Sequence, residues 1–492
     1  MSLINVSNLT FSYDGGFEKI FENVSFQIDT DWKLGFTGRN GRGKTTFLNL
    51  LMGKYDYSGS ISASVSFEYF PYQVKDEQMN TAEVINTVVN GYQDWQLKRE
   101  LNLLEVSHDV LNRPFNTLSN GEQTKVLLAA LFLKENGFLL IDEPTNHLDM
   151  NGRKIVSEYL RGKHGFILVS HDRAFLDNCI DHILSINRAN IEIQKGNFSS
   201  WLHNKELQDE MEISRNEVLK KDIKRLETSA RRAADWSGRV EKSKKGQRVS
   251  GIKPDKGYIG HKSAKMMKRS KTIESRVQTA IEEKSSLLQN IETTSSLKIH
   301  PLRYHTDRMA DLEDISIIFG ERKICEGVSF NIQSGDRIAL CGKNGSGKTS
   351  IVKLILGESI PYQGVIRIGS RLKISYISQS TYGLAGNLTD YARDYGIDHT
   401  LFKTILRKLD FARDMFDMNI KDFSDGQKKK VMIARSLCES AHLYIWDEPL
   451  NYIDVISRMQ IEDLIRYYEP TLLFIEHDRA FCDNIATKMM EL

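Results

Sequence analysis

The feature that most constrains the fold of this chain is a glycine-rich phosphate-binding motif that occurs twice. The pattern G-x-x-x-x-G-K-[ST] is matched by "GRNGRGKTT" from Gly38 and by "GKNGSGKTS" from Gly342. Each copy follows an apolar, strand-like run and precedes a helical pattern, so backbone N–H groups can converge on phosphate at a helix N-terminus. One match alone could be an accidental glycine-rich turn, whereas two in this context predict two nucleotide-binding domains.

Further motifs follow both copies at nearly equal distances. Gly121 of "LSNGEQ", Asp142 of "LLIDEPTNHLD" and His171 of "LVSHD" lie 83, 104 and 133 residues after Gly38. The corresponding residues of "FSDGQK", "YIWDEPLNYID" and "FIEHD" lie 84, 105 and 135 residues after Gly342. The chain therefore contains an internal repeat with a period of about 305 residues.

These motifs and their order resemble those of ATP-binding cassette (ABC) proteins, and the resemblance covers about four-fifths of the chain. It implies an α/β fold class with two tandem ABC-type P-loop ATPase domains that bind ATP and Mg²⁺. In this family, the Ser-Gly signature of one half caps the ATP held by the other half. Ser119 and Gly121 would complete the site on Lys348, and Ser424 and Gly426 would complete the site on Lys44. ATP then holds the halves together, and hydrolysis lets them separate.

The predicted site residues fall into three groups. The phosphate loops, the signatures, the Q-loop glutamines and two aromatics that match the family's adenine-stacking position form the ATP-binding group: Tyr13, Gly38, Arg39, Asn40, Gly41, Arg42, Gly43, Lys44, Thr45, Thr46, Gln73, Ser119, Gly121, Phe319, Gly342, Lys343, Asn344, Gly345, Ser346, Gly347, Lys348, Thr349, Ser350, Gln379, Ser424 and Gly426. The Mg²⁺ group offers hydroxyl, amide and carboxylate oxygens: Thr45, Gln73, Asp142, Thr349, Gln379 and Asp447. The catalytic group contains two carboxylates that orient and polarise the attacking water and two histidines that contact the γ-phosphate: Glu143, Glu448, His171 and His477. Taken singly, such aromatics are more often core residues and such histidines more often structural; the matched positions favour the functional interpretation.

The second half departs from the family pattern in several places. Phe423 replaces the usual Leu of the signature, and residues 427–429 read Gln-Lys-Lys in place of the usual Gly/Glu-Gln stretch. "LNYID" stands where the first half has "TNHLD", and Glu476 precedes the histidine where Ser is usual. In the first half, Arg42 lies inside the phosphate loop where Ser is commoner. Both sites are expected to bind ATP, and these differences make equal turnover at the two sites doubtful.

The chain between the two halves is predicted to form a long antiparallel α-helical hairpin. Apolar residues recur at helical spacing from about 204 to 236 and again from about 266 to 291, with a glycine-rich tip loop at about 238–261. Between Lys221 and Arg276, 18 Lys and Arg residues face 6 Asp and Glu residues, in a chain of net charge +2. A solvated spacer is the alternative, but this bias is typical of a segment that binds phosphate.

Tandem ABC domains joined by a charged helical linker resemble the ABC-F proteins. The resemblance implies binding at the tRNA exit site of the ribosome, with the linker directed toward the P-site tRNA and the peptidyl-transferase centre. The residues expected to contact ribosomal RNA or tRNA are Lys244, Lys245, Arg248, Tyr258, Lys262, Lys265, Lys268 and Arg269.

The lengths of the connecting segments resemble those of the antibiotic-resistance, ribosome-protection branch of this family. Gln73 and Leu118 are separated by 44 residues and Gln379 and Phe423 by 43, so no additional arm is expected in the first domain. The sequence ends 15 residues after His477, so no C-terminal extension is expected either. Together with "KGYIGHKSAKMMKR" and "WDEPLNYIDVISR", this organisation resembles the Lsa- and Vga-like proteins.

We therefore expect a first ABC domain over residues 1–203, a basic linker over 204–300 and a second ABC domain over 301–492. The five cysteines are scattered without a C-x-x-C pair, and no apolar stretch reaches the ~20 residues that span a bilayer. The N-terminus lacks the pattern of a signal peptide. These features predict a cytoplasmic protein that does not cross a membrane. The family resemblance implies a monomer whose two halves close on each other.

Three functions compete on this basis. The leading hypothesis is an ATPase that binds a drug-stalled ribosome and protects the peptidyl-transferase centre from lincosamide, streptogramin A and pleuromutilin antibiotics. The alternative is a housekeeping ABC-F translation factor that acts on stalled ribosomes without drug specificity. The third is the ATPase subunit of a membrane transporter, which has no requirement for a basic hairpin between its ATPase domains.

Overall fold

A computed structural model describes residues 2–13, 19–186, 191–242, 296–319 and 322–492, together with the helical positions 261, 265, 268, 272, 275, 276 and 279. The chain divides into two units. One consists of residues 1–201 and 294–492 and contains both phosphate loops; the other spans 202–293. The boundaries at 203/204 and 300/301 stay a prediction; this division lies two residues before the first and seven residues before the second.

The first half is built on two sheets. A three-stranded antiparallel sheet has the order β2-β1-β4, formed by β1 (Leu3–Phe11), β2 (Phe21–Asp29) and β4 (Ser58–Ser62). A six-stranded sheet has the order β5-β6-β7-β3-β8-β9, formed by β3 (Lys33–Thr37), β5 (Ser66–Phe70), β6 (Gly137–Asp142), β7 (Phe166–Val169), β8 (His182–Ile186) and β9 (Ile191–Lys195). Neighbouring strands from β5 to β8 are parallel, and β9 is antiparallel to β8.

The second half repeats this plan. Its three-stranded antiparallel sheet has the order β11-β10-β13, formed by β10 (Arg308–Phe319), β11 (Arg322–Gln333) and β13 (Tyr362–Ile368). Its five-stranded parallel sheet has the order β14-β15-β16-β12-β17, formed by β12 (Arg337–Cys341), β14 (Ile374–Ile377), β15 (Leu443–Asp447), β16 (Leu472–Ile475) and β17 (Lys488–Glu491). The prediction of two tandem ABC-type α/β domains is confirmed.

Helices connect and cover the parallel strands of each half. In the first half the α-helices are Lys44–Leu51, Thr81–Val88, Asp94–Leu103, Asn120–Leu131, Met150–Arg161 and Arg173–Cys179, with 3₁₀ turns at His108–Asn112 and Phe115–Thr117. In the second half they are Lys348–Ile355, Leu388–Asp394, His399–Lys408, Asp425–Cys438, Val455–Tyr468 and Arg479–Ile485, with 3₁₀ turns at Asp414–Asp417 and Ile420–Asp422. The helix Phe198–Lys242 leads out of the first half.

The central parallel strands are continuous apolar runs because both of their faces are buried. β7 reads "FILV" and β16 reads "LLFI", and every residue of both strands is buried. Since parallel strands all point the same way, the loops that follow β3, β6 and β7 lie at one edge of the sheet, as do the loops that follow β12, β15 and β16. This arrangement brings the phosphate loop, the "DEP" carboxylates and the histidine of each half to a common edge.

The first helix of the predicted hairpin begins earlier and ends later than the apolar spacing indicates. It covers Phe198–Lys242, and Phe198 and Trp201 are buried while Leu207 and Met211 are exposed. Lys265 and Lys268 occupy exposed helical positions. The predicted tip loop at about 238–261 lies almost entirely outside the described residues, and so do these predicted RNA contacts: Lys244, Lys245, Arg248, Tyr258, Lys262 and Arg269.

Within the described part of the chain, no helix has both the length and the apolar character needed to span a bilayer.

Candidate active sites

Each phosphate loop wraps around its own lysine. Lys44 Nζ donates hydrogen bonds to the carbonyl oxygens of Gly38 at 2.6 Å and Arg39 at 3.1 Å. Lys348 Nζ donates to the carbonyl oxygen of Gly342 at 2.9 Å and to that of the next residue at 2.8 Å. Burial lowers the pKa of both lysines because it disfavours their charged form. Both cations therefore lie inside the loops, where phosphate oxygens could replace the carbonyl contacts.

The last glycine of each loop is required by its backbone conformation. Gly43 and Gly347 precede the loop helices with φ of 93° and 95°, a left-handed region that favours glycine. A Cβ on Gly43 would lie 2.5 Å from Ile20 Cγ2, and a Cβ on Gly347 would lie 2.9 Å from Ile324 Cγ2. The same chain geometry thus recurs in both loops and aims the N-terminus of each helix into the site.

In the first half, the predicted catalytic residues lie at the carboxyl ends of β6 and β7. The Asp142 carboxylate accepts hydrogen bonds from the hydroxyls of Thr45 at 3.1 Å and Tyr69 at 3.0 Å. Glu143 has a φ of 50°, and its Oε1 lies 3.5 Å from His171 Nε2. Burial, together with the charge of Asp142, raises the pKa of Glu143 to about 8.

The second half has the same layout with different partners. Glu448 Oε1 lies 3.5 Å from His477 Nε2, and Glu448 Oε2 accepts a hydrogen bond from Asn451 Nδ2 at 2.7 Å. Burial opposes the ionisation of Glu448, but contacts with His477 and Gln379 outweigh it and lower the pKa to about 2. Glu448 has a φ of 47°, so both "DEP" glutamates occupy the strained left-handed region.

The residues predicted to hold Mg²⁺ fit a hard cation. Asp447 is fully buried, and neither of its carboxylate oxygens has a partner at hydrogen-bonding distance among the described residues. Burial raises its pKa to about 6, while the hydroxyl of Thr349 acts on the same carboxylate in the opposite direction. Carboxylate and hydroxyl oxygens are ligands that Mg²⁺ accepts. In the described ranges, no group of three or more His, Cys, Asp and Glu could hold a metal ion by itself.

The two halves contact each other through their phosphate loops. Asn40 Nδ2 donates to the carbonyl oxygen of Tyr452 at 2.8 Å, and Asn344 Nδ2 donates to the carbonyl oxygen of His147 at 3.3 Å. The two bonds are equivalent. The asparagine of the first loop contacts the "NYID" turn of the second half, and the asparagine of the second loop contacts the "NHLD" turn of the first half. A Cβ on Gly426 would lie 3.4 Å from Asn40 Nδ2, so the second signature lies against the first loop.

A cavity of about 910 Å³ lies between the second phosphate loop and the first signature. Its walls include Lys348 and Glu448 from the second half and Ser119 and Gly121 from the first. The signature serine begins its helix, since Ser119 Oγ accepts a hydrogen bond from the backbone N–H of Glu122 at 3.2 Å. The structure therefore brings together the residues that were predicted to form a site across the two halves.

Ion pairs also cross between the halves, and the sequence did not predict them. Asp410, which precedes the second signature, lies 3.7 Å from Arg39 Nη1 and 3.6 Å from Arg42 Nη2 of the first phosphate loop. Arg173, two residues after the histidine of the first half, pairs with Glu462. The unusual arginine in the first loop could have prompted a search for an acidic partner, but the sequence does not indicate which of the many acids it meets.

The remaining predicted residues are placed less uniformly. The Tyr13 hydroxyl lies 2.8 Å from Thr46 Oγ1 at the start of the loop helix, which puts this aromatic beside the first site. Gln379 lines the cavity, whereas Gln73 is exposed. The side chain of Phe319 lies outside the described residues. The contact between Tyr69 and Asp142 was not predicted. The sequence could have indicated it, because β14 also has a tyrosine, Tyr376, at the equivalent position.

Comparisons with known proteins agree with this geometry. The family model described as "ABC transporter" matches residues 21–146 and 325–451. The chain is 28% identical over 490 residues to the ribosome protection protein VmlR of Bacillus subtilis, covering 98% of this chain and 85% of that protein. It is 27% identical over 522 residues to the ATP-binding protein Uup of Buchnera aphidicola (strain APS), covering 99% and 80%. The fold is similar to that of the archaeal ribosome recycling factor aABCE1 in its complex with the stalk protein aP1, with a TM-score of 0.63, 19% identity and coverage of 98% and 87%.

Proposed function

The chain belongs to the ABC family of ATPases, with the tandem organisation of the ABC-F type, and on this premise we propose that it binds the ribosome and protects its peptidyl-transferase centre. It hydrolyses ATP. ATP-bound halves stay closed on the ribosome, and hydrolysis releases them. By its resemblance to the Lsa- and Vga-like proteins, the protein counteracts lincosamides, streptogramin A compounds and pleuromutilins. It acts in the cytoplasm as a monomer.

The proposed chemistry uses the same set of groups at both sites. Lys44 and Lys348 bind the β- and γ-phosphates, and the helix N-termini behind them favour negative charge. Bound Mg²⁺, held by the loop threonine and the "DEP" aspartate, would offset charge on the phosphates. Glu143 and Glu448 orient and polarise the attacking water.

The release of the two halves follows from the contacts that cross between them. Each loop asparagine contacts a backbone carbonyl of the opposite half, next to the signature that caps the nucleotide. ATP bound at such a joint adds contacts to both halves at once, and loss of the γ-phosphate removes part of them. Closure therefore depends on the state of the nucleotide.

The observation that carries the ribosomal part of the proposal is the similarity along 98% of the chain to a protein named for ribosome protection. The linker supports it independently. Its 18 basic against 6 acidic residues between positions 221 and 276 suit an RNA partner, because each phosphate contact releases counterions. Lys265 and Lys268 are exposed on it.

The second candidate is a housekeeping ABC-F translation factor without drug specificity. The similarity to Uup, which is named only for ATP binding, favours this alternative. Expression of the protein in a susceptible heterologous host separates the two, since only a protection protein raises the inhibitory concentration of the three drug classes. An unchanged inhibitory concentration, together with co-sedimentation of the protein with ribosomes, would favour the housekeeping role.

The linker provides the sharper test. Residues 242–260 are replaced by a few glycines, and as a matched control Lys262, Lys265, Lys268 and Arg269 are changed to alanine in the full-length linker. The shortened protein is expected to keep ATPase activity and most ribosome affinity while losing resistance. The alanine variant is expected to bind ribosomes more weakly, with a flatter dependence on salt concentration. A shortened protein that still protects cells would show that the tip is only a spacer.

A further inference from the structure

The second half buries a lysine and a glutamate immediately behind its catalytic turn. Lys429, in the helix that follows the second signature, is 2% exposed, and Glu476, at the end of β16, is 3% exposed. Fully buried charges are rare unless they are paired or hydrogen-bonded. The proposed function assigns no role to either side chain.

Lys429 holds the catalytic turn from the side of the signature helix. Its Nζ donates hydrogen bonds to the carbonyl oxygen of Glu448 at 3.0 Å and to that of Ser378 at 3.0 Å. Glu448 is the residue whose backbone occupies the left-handed region, and Ser378 directly precedes Gln379. One ammonium group thus fixes the backbone of the catalytic glutamate relative to the Q-loop.

Glu476 holds the same turn from the opposite side. Its Oε1 accepts a hydrogen bond from the backbone N–H of Leu450 at 2.7 Å, two residues after Glu448. Its Oε2 accepts one from the backbone N–H of His477 at 3.2 Å, and the imidazole of His477 lies 3.5 Å from Glu448 Oε1. The glutamate therefore connects the catalytic turn to the histidine that contacts the catalytic carboxylate.

The two buried charges act on the same turn through separate hydrogen bonds. Burial lowers the pKa of Lys429, and the negative charge of Glu476 opposes that shift more than any other carboxylate does. Burial raises the pKa of Glu476, and the positive charge of Arg458 is the main charge that opposes this second shift.

The first half has uncharged side chains at the equivalent positions around its catalytic turn. Thr124, Thr145 and Ser170 occupy the positions of Lys429, Leu450 and Glu476 in the internal repeat. The hydroxyls of Thr145 and Ser170 lie 3.3 Å apart, and Ser170 Oγ accepts a hydrogen bond from the backbone N–H of Asp172 at 3.2 Å. Three residues that surround one turn therefore differ together between the halves.

We propose that Lys429 and Glu476, whose positions hold Thr124 and Ser170 in the first half, form a buried brace that holds the catalytic turn from two sides and positions Glu448 and His477 for hydrolysis. Both are positioning residues, because they act through the catalytic turn and not on ATP.

The inference rests on the proposed role of Glu448, so the experiment first isolates the second site. In a Glu143→Gln background, turnover reports the second site, and adding Glu448→Gln should abolish most of what remains. If it does not, the assignment of Glu448 fails before the brace is tested. Lys429→Met and the nearly isosteric Glu476→Gln are then introduced separately in the Glu143→Gln background.

Each single change is expected to lower kcat at least tenfold and to leave KM for ATP within twofold, because the hydrogen bonds that these side chains make go to the catalytic turn, Ser378 and His477. Replacing the set by its first-half counterparts (Lys429→Thr, Leu450→Thr and Glu476→Ser together) should recover kcat to within about threefold of the background. In a Glu448→Gln background, turnover reports the first site. The same variants should change kcat of that site by less than twofold.

Three results would overturn the proposal. The first is a kcat of the single variants within twofold of the background. The second is an equal loss of kcat at both sites. The third is a triple variant whose kcat is as low as that of the single variants. Thermal unfolding and binding of a fluorescent ATP analogue are measured for every variant. If Lys429→Met does not fold, Glu476→Gln and the triple variant decide the question, since neither places an apolar side chain against the carbonyl oxygens of Ser378 and Glu448.

Discussion

The two composite sites share one chain geometry but differ in the charges placed around it. At the first, Arg39 and Arg42 of the phosphate loop meet Asp410 of the opposite half, so an ionic contact already bridges the joint. At the second, the phosphate loop and the opposite signature enclose a cavity of about 910 Å³, and Glu105 and Lys343 are part of its lining. The comparison teaches that a repeated backbone does not by itself give two equivalent sites.

The catalytic carboxylates show the same contrast. Burial and a neighbouring aspartate raise the pKa of Glu143 to about 8, whereas the partners of Glu448 overcome burial and lower its pKa to about 2. Asn451 donates a hydrogen bond to Glu448, and the described part of the first half shows no equivalent bond from Asn146 to Glu143. Identical "DEP" triplets therefore acquire different properties from the residues that surround them.

The largest effect is expected when both carboxylates are changed. Glu143→Gln combined with Glu448→Gln should retain ATP binding but slow hydrolysis by about 10² to 10⁴-fold, because the water loses its orienting carboxylate at both sites. Phosphate release measures hydrolysis, and the amount of ATP retained on ribosomes measures binding. Wild-type turnover in this variant would remove these residues from the mechanism.

The single changes test whether the two sites differ in function. Glu448→Gln is expected to remove more of the total turnover than Glu143→Gln, by at least about threefold, because Glu448 is anchored by Asn451 and Lys429 and is therefore better oriented. Steady-state phosphate release from the two variants, compared at saturating ATP, gives the ratio. Equal residual rates would mean that the differences around the two turns have no catalytic consequence.

The smallest effect is expected at the ionic contact across the first site. Asp410→Asn removes one charged partner of Arg39 and Arg42. Because these ion pairs are partly exposed, the change should weaken closure of the two halves by at most about 1 kcal/mol, or about fivefold. The measurement is first-site turnover in a Glu448→Gln background at low and high salt, where the difference should shrink as salt rises. Asp414→Asn, on the same segment but exposed, is the matched control. A loss that is equally large in both variants would contradict a specific contact.

The sequence determined the parts of the protein that depend on neighbouring residues. The phosphate loops, the carboxylates that end β6 and β15, and the histidines that follow β7 and β16 are local patterns at matched spacing, so the two α/β domains and most of the site could be predicted. The backbone N–H groups and glycine conformations that bind phosphate are properties of a few consecutive residues.

Only the tertiary structure decided which distant groups surround those motifs. Lys429 could be recognised in the sequence as a departure from the family pattern, but not as a donor to the carbonyl oxygen of Glu448. Arg42 could likewise be recognised as unusual, but not as a partner of Asp410, which lies in the other half of the chain. Such contacts depend on how helices and loops pack within each half and across the interface, and electrostatic energies change steeply with distance and burial. Local patterns therefore defined the chemistry, and tertiary packing made the two sites different.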